Sequence, residues 1–343
     1  MQYFEAHDIR EYKDANGNTP EILLVDGNRA AGKTTAFSRK FVNDFLADGK
    51  KFMLIYRYAN ELHNISEAFF KDIKSLFFPN NEMTERSRAN GAYIELFIDS
   101  KSCGYAVALN TAGKLKHYSH IFSDVEQMLF DEYQLENGFY IPGEIEKFVS
   151  LHMTVARGQG KVVRFVPVYM LSNSVSIFNP YYEAFQISKR INSKTKVLRG
   201  DGWILLRLTM KEVAREQEKS AFNRAFSASR YVTAATDNSF LNDDTFNIEK
   251  RNVTGFYCDF TFTDGKTTFG VFSNGSDYHV KKSGSVPNVP SFGIHQSDRN
   301  GEIRSIRHSY IFGKIQMYYA NGYITFQDTQ SKSAFMSLLF DNQ

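Results

Sequence analysis

The sequence predicts an α/β domain built on a mostly parallel sheet, then a helical connector, then a smaller α+β domain. Three observations carry this expectation. Over residues 1–195 short apolar runs alternate with longer helical patterns, the order of a parallel sheet covered by helices. Residues 196–240 turn charged and helical. From about Val253 the chain breaks into aromatic and β-branched runs separated by Asp-Gly and Asn-Gly turns, and this third segment is taken as 241–343. A chain of 343 residues also exceeds one typical core.

The elements follow in order. Glu21 to Asp26 reads as a buried strand. After Lys33, Phe37, Phe41 and Phe45 recur at i+4 with Val42 and Leu46 beside them, an amphipathic helix that Gly49 stops. Phe52 to Tyr56 is the next strand, Glu61 to Phe77 a helix, and Ala92 to Ile98 and Tyr105 to Leu109 strands. Glu126 to Phe130 is a strand ending in Asp131-Glu132. Pro142 opens a helix running to about Arg157. Val162 to Met170 is a strand followed by Leu171-Ser172-Asn173-Ser174. Met210 to Phe226 reads as helix. Asp264-Gly265, Asn274-Gly275 and Asn321-Gly322 read as hairpin turns, and Ser331 to Phe340 as a closing helix.

Composition narrows the function classes. A net charge of +3 excludes a polycation that binds nucleic acid by charge alone, so any such contact comes from a local patch. The 31 Phe and 19 Tyr are read as core filling rather than stacking platforms. Cys103 and Cys258 lie far apart and read as reduced thiols of an intracellular protein. No apolar run is long enough to span a membrane, and the start lacks a signal-peptide layout. His63, His117, His120 and His152 show no metal-ligand spacing and read as structural.

Gly27-Asn28-Arg29-Ala30-Ala31-Gly32-Lys33-Thr34 satisfies G-x-x-x-x-G-K-[ST] between a strand and a helix, the context the motif demands. The glycines let backbone N–H groups wrap the phosphates of ATP, and the helix adds its N-terminal dipole. Lys33 would reach the β- and γ-phosphates, Thr34 would ligate Mg²⁺, and Thr35 completes the nucleotide-binding run. The apolar strand ending in Asp131-Glu132 supplies the second element, since strand carboxyl ends face the ligand crevice. Asp131 would hold Mg²⁺, and Glu132 would polarise the attacking water. The fold class is then an α/β P-loop NTPase of the ASCE type. Arg157 ends its helix before a glycine-containing corner, Gly158-Gln159-Gly160. It is either a trans arginine finger or a cation complementing the helix dipole. Asn173 is either a γ-phosphate sensor or a turn residue.

With these residues laid out, the chain resembles the DNA-packaging ATPases of small short-tailed, protein-primed phages, compact relatives of terminase large subunits. The resemblance rests on the P-loop with its internal Arg29 and on Tyr56-Arg57-Tyr58 with Glu61-Leu62. It extends through Phe130-Asp131-Glu132, Tyr140-Ile141-Pro142 with Glu144, and Thr154-Val155 before Arg157. Its most specific block is Leu171 to Ser176 followed by Asn179-Pro180-Tyr181-Tyr182. It covers most of the first half and weakens afterwards. It implies that Arg157 is a trans finger and that a trans-acting lysine lies upstream of the acidic strand, where Lys116 and Lys114 both stand. It further implies a homopentameric ring on the capsid portal, joined through a packaging RNA, that drives double-stranded DNA into a procapsid in the host cytoplasm.

For the last segment the resemblance implies an RNase H-like nuclease remnant. Asp259 is the only acid in mid-strand there, and no strand offers it a partner, so cleavage is not expected. Lys281, Lys282, Arg299, Arg304, Arg307, His308 and Lys314 form either a solvated surface or a phosphate-binding one for DNA or the packaging RNA; of these, Lys281, Lys282, Arg304, Arg307 and Lys314 are taken as the nucleic-acid contacts. Two other functions fit the P-loop: a helicase acting on single strands, and a non-hydrolysing nucleotide-binding protein of capsid assembly.

Overall fold

The computed structural model describes residues 4–340 except 63–68, 137, 139, 158–163, 189, 192–194, 228, 230–231, 233–239 and 241–246. Two compact units emerge. The first comprises Met1–Gly138, Glu144–Ser176 and Ile191–Asn242, the second Phe139–Gly143, Ile177–Arg190 and Asp243–Gln343.

The first unit is built on nine strands: β1 (Ile22–Gly27), β2 (Lys51–Tyr56), β3 (Met83–Arg88), β4 (Tyr93–Ile98), β5 (Lys101–Ala108), β6 (Val125–Asp131), β7 (Val168–Asn173), β8 (Val197–Gly200) and β9 (Trp203–Leu208). Their order is β3-β4-β5-β2-β6-β7-β1-β9-β8. The six central strands, β5 to β9 in that order, pair in parallel; β3-β4-β5 and β8-β9 close the two edges antiparallel. Continuous apolar runs suit strands buried on both faces. On one face Phe37, Phe41 and Val42 of the helix Lys33–Asp48 pack on Leu23, Val25, Leu54 and Leu171. Tyr169 meets both Phe rings at centroid distances of 5.1 and 5.4 Å. Fully burying one such side chain contributes about 1.5–3 kcal/mol.

Three expectations need correction here. Residues 196–240 were read as a helical connector, yet Val197–Gly200 and Trp203–Leu208 are strands of the first sheet. Trp203, Ile204, Leu205 and Leu206 are all buried beside β1, so their apolar run is a doubly covered strand. The expected helix from Met210 to Phe226 is two helices, Lys211–Glu218 and Ala221–Ala225, broken at Ser220, whose Oγ accepts from the Asn223 N–H at 3.1 Å. Finally, Ile177–Arg190, placed with the first domain from sequence, belongs with the second unit. There the Glu183 carboxylate, on the short helix Pro180–Ala184, accepts from Ser333 Oγ at 3.0 Å and Ser337 Oγ at 3.3 Å on the helix Thr329–Phe340.

The second unit holds β10 (Tyr257–Thr263), β11 (Thr268–Ser273), β12 (Tyr278–Lys282), β13 (Ser291–Gly293), β14 (Ile303–Arg304) and β15 (Ile324–Phe326), in the order β14-β13-β10-β11-β12-β15. Asp264-Gly265 and Asn274-Gly275 make the two expected hairpins of β10-β11-β12. The remaining strands are parallel to their neighbours. Asn321-Gly322 is accordingly no hairpin: it ends the helix Tyr310–Ala320, with the Asn321 N–H bonded to Met317 O. Three antiparallel strands with two parallel strands beyond the first is the RNase H-like order that the resemblance implies. Phe260, Phe262, Phe269, Phe326 and Phe335 are buried together as core, whereas Phe165, Phe222 and Phe226 are exposed.

Parts of the predicted helix Glu61–Phe77, the corner 158–160 and the start of the strand from Val162 lie outside the described residues. The described parts are a short turn at Ala59–Leu62, a helix at Lys71–Phe77, and a strand starting at Val168. Among the described residues no helix is long and apolar enough to cross a membrane.

Candidate nucleotide site

Parallel strands end at one edge of the sheet, and the sequence places its polar residues at those ends. β1 delivers Gly27, β6 delivers Asp131, β7 delivers Asn173, with Gly27 opposite Asn173 and Asp131 opposite Leu171. Gly27 sits in a tight place: a Cβ there would lie 3.1 Å from the Leu208 carbonyl oxygen and 3.4 Å from Lys33 Cδ. Gly32 has φ of 84°, the left-handed region, as the helix begins at Lys33. Ala30 shares that region at φ of 59°, so the loop winds through two left-handed residues, the kind of backbone that forms anion-binding concavities. Asn28 is buried, its Oδ1 accepting from the Met210 N–H at 2.9 Å. Arg29 and Ala30 are exposed, Ala31 buried, and Arg29 lies 3.6 Å from Glu136.

Lys33 is buried at the head of the helix. Its Nζ donates to the carbonyls of Gly27 and Asn28, both at 3.1 Å, and to Asn173 Oδ1 at 3.3 Å. Burial lowers its pKa from the ordinary lysine value, opposed by the charges of Asp26 and Asp131. Thr34 Oγ1 donates to Asp131 Oδ2 at 2.7 Å, joining the hydroxyl and the carboxylate read from sequence as metal ligands. Desolvation raises the Asp131 pKa, as does Glu132, while the Thr34 hydrogen bond, the Glu132 N–H and Lys33 lower it. A hydroxyl, a carboxylate and a lysine around one strand edge are the hard oxygen donors and the cation that Mg²⁺ and phosphates need. A cavity of about 440 Å³ adjoins them, lined by Thr34, Thr35, Tyr56, Arg57, Asp131 and Glu132 among others.

Glu132 is exposed and holds φ of 55°, a conformation that costs a non-glycine residue roughly 1–3 kcal/mol. Its surroundings fix it there. The Glu132 N–H donates to Asp131 Oδ1 at 2.9 Å, and Arg57 Nη1 donates to the Glu132 carbonyl at 3.1 Å. Arg57 Nη2 donates to the next carbonyl, Tyr133, at 2.9 Å, and Arg57 pairs with Glu144 through Nε and Nη2 at 3.0–3.1 Å. Both partners are almost wholly buried. Sequence reasoning quoted Arg57 and Glu144 only as marks of resemblance; the structure brings them together beside the acidic strand. Arg57→Ala takes the guanidinium away from a buried carboxylate, and a loss of about 3–5 kcal/mol in unfolding free energy is expected. Combining Arg57→Met with Glu144→Leu should recover the part of the loss that comes from the uncompensated carboxylate, while the carbonyls of Glu132 and Tyr133 keep a cost of about 1–3 kcal/mol each. Urea titration of the three proteins checks this.

Arg157 stands elsewhere. The helix Glu144–Val155 begins at the Arg57 pair and runs about 18 Å, at 1.5 Å per residue. At its far end Arg164 donates to the carbonyls of Val155 at 3.1 Å and of Val125, the first residue of β6. Arg157, two residues beyond Val155, thus lies toward the end of the sheet where β6 starts, away from Asp131 at its finish. It is exposed and lines a surface cavity of about 560 Å³ with Lys116, Val149 and Met153. Lys114 is exposed but does not line that cavity, so of the two candidate lysines only Lys116 shares it with Arg157.

In the second unit the sheet order separates the cations. Arg304 is on the edge strand β14, and Lys281 and Lys282 are on β12, with three strands between. Lys314 lies over the rings of Tyr278 and Tyr318, and Lys281 over Phe272. Arg304, Arg307, Lys282 and Lys314 are exposed. They do not form a single row on one strand. Asp259 is the extra residue of a β-bulge, since pairing passes from Cys258–Phe272 to Phe260–Val271, and it accepts from Ser273 Oγ at 2.9 Å. Among the described residues no group of three or more His, Cys, Asp or Glu could hold a metal ion.

Residues 18–342 match the family model of the podovirus DNA encapsidation protein (Gp16). The DNA packaging protein of Bacillus phage phi29 is 27% identical over 314 residues, 90% of each chain. That of Bacillus phage B103 is 31% identical over 236 residues, 67% of this chain and 68% of the relative. A solved structure described as the Phi-28 gp11 DNA packaging motor superposes over 95% of both chains with a TM-score of 0.65 at 15% identity, a likeness of fold that includes both units. With the family model spanning nearly the whole length, this chain belongs to the podovirus DNA encapsidation protein family.

Proposed function

We propose that this chain is an ATP-driven motor that moves double-stranded viral DNA into a preformed procapsid, hydrolysing ATP at a site completed by a neighbouring subunit. The observation that carries the reading is the 2.7 Å hydrogen bond from Thr34 to Asp131, with Lys33, Asn173 and Glu132 on the same strand edge. Lys33 neutralises the β- and γ-phosphates, released from its carbonyl contacts as they enter. Thr34 and Asp131 would hold Mg²⁺, which would supply positive charge against the phosphate oxygens. Glu132 orients the attacking water and takes up its proton. Asn173 senses the γ-phosphate through the position it shares with Lys33. Arg157, at the helix end that Arg164 ties to the first residue of β6 rather than to Asp131, serves the next subunit.

That arrangement requires a ring, for which the family resemblance supports a pentamer seated on the capsid portal and joined through a packaging RNA in the host cytoplasm. The second unit contacts DNA or RNA through Lys281, Lys282, Arg304, Arg307 and Lys314 on more than one face, and does not cleave. The bulged, hydroxyl-bound Asp259 supports the last point. The test is packaging itself: purified protein, empty procapsids, packaging RNA, linear duplex and ATP should yield nuclease-protected DNA. ATP turnover stimulated by single strands and not by duplex would favour a helicase instead. Turnover absent under every condition would leave a nucleotide-binding assembly protein.

A further inference from the structure

The residues just after Glu132 make a connection that hydrolysis alone does not require. Tyr133 and Gln134 are buried, and both reach Asp26, the residue before Gly27. Tyr133 OH donates to Asp26 Oδ1 at 2.7 Å and Gln134 Nε2 donates to Asp26 Oδ2 at 2.8 Å. The other end of the same amide faces away. Gln134 Oε1 accepts the backbone N–H groups of Val175 at 3.1 Å and Ser176 at 3.2 Å, while its own N–H donates to Ser172 Oγ at 3.3 Å. Ser176 is the last residue of the first unit before the chain leaves it at Ile177.

One side chain thus joins three segments: the strand entering the P-loop, the loop carrying Glu132, and the segment after Asn173 through which the chain exits. An amide suits this place because it donates at one end and accepts at the other. We propose that Gln134 is a positioning residue that couples the loop of Glu132 to the exit segment Ser174–Ser176, so that a displacement of Glu132 and Asn173 during hydrolysis moves the chain leaving the unit. Glu132, strained at φ of 55°, is the element with energy to release. This role rests on the DNA-translocase reading.

The test compares base pairs packaged per ATP hydrolysed, in the full procapsid system, for wild type, Gln134→Leu and Gln134→Asn. Leucine removes both hydrogen-bonding ends; asparagine keeps them on a stem too short to span from Asp26 to Ser176. For both the ratio should fall about fivefold or more, the lower end of what coupling between sites carries. A merely structural role lowers turnover and packaging together and leaves the ratio at the wild-type value, and that result overturns the proposal. If Gln134→Leu does not fold, Gln134→Asn decides alone. Wild-type protein that turns over ATP without protecting any DNA overturns the translocase reading and this role with it. Packaging by wild type with unchanged ratios overturns only the role of Gln134.

Discussion

Glu132→Gln is expected to bind ATP with affinity close to wild type and to lose turnover by about 10²–10⁴-fold, the range a positioned general base contributes. The substitution is clean because the backbone, not the carboxylate, holds this residue in place. Its N–H is taken by Asp131 Oδ1 and its carbonyl by Arg57 Nη1, and both bonds survive the change to an amide. The side chain is exposed toward the cavity shared with Thr34 and Asp131, so its size and contacts matter little to folding. What disappears is an acceptor for the proton of water. Phosphate release measures turnover, and a fluorescent ATP analogue measures binding. Unchanged turnover with unchanged binding would remove Glu132 from the chemistry and turn attention to Asp26 or Glu136. A parallel loss of binding would place the carboxylate in nucleotide recognition.

How far the sequence reached depends on how local each feature is. The P-loop is eight consecutive residues whose spacing is its geometry, and the contacts of Lys33 with Gly27 and Asn28 follow from that spacing. Asp131 and Glu132 were legible because an apolar strand ended in two carboxylates. Asn173 needed more: its approach to Lys33 depends on β7 lying beside β1, although it stands near the end of a readable strand. Arg57 with Glu144, and Asp26 with Tyr133 and Gln134, are separated by 87, 107 and 108 positions. Only the strand order β2-β6-β7-β1 brings them together, and no periodicity encodes that order. One local sign was present. Asp26 closes an apolar run and is wholly buried, and a buried carboxylate demands partners.

The fold shows the same division. Helix Lys33–Asp48 and the two hairpins of β10-β11-β12 follow from local periodicity and turn chemistry. The strand Trp203–Leu208 is hidden beside charged segments, because a short buried run looks alike in a strand and in a helix, and its edge partner Val197–Gly200 is too short and too exposed to show a pattern. Asn-Gly at 321–322 had the residues of a hairpin turn, but the same residues end helices, and only the preceding Tyr310–Ala320 distinguishes the two.

Arg157→Ala is expected to lower ATP turnover in the assembled motor by about 10³–10⁵-fold, as loss of an arginine finger does, while the isolated subunit still binds ATP. Position forces the form of the test. The helix from Glu144 carries Arg157 away from Glu132, and Arg164 ties the end of that helix to the first residue of β6, whereas Asp131 is the last. An arginine side chain spans far less than the roughly 20 Å of a seven-residue strand. If Arg157 takes a catalytic part, this placement favours one played in trans. Its surroundings suit a neighbouring copy: Val149 and Met153, two of the more exposed apolar side chains, flank it together with Lys116. Mixing Arg157→Ala with Glu132→Gln subunits separates the cases. Each protein alone is inactive. In a random equal mixture about one interface in four joins an intact finger to an intact site, and turnover should recover toward that fraction. A mixture as inactive as its components, with Arg157→Ala less stable than wild type, would show that Arg157 serves its own fold and not a neighbour's site. Recovery on mixing, with stability unchanged, assigns the finger to the next subunit and makes the ring a condition of hydrolysis.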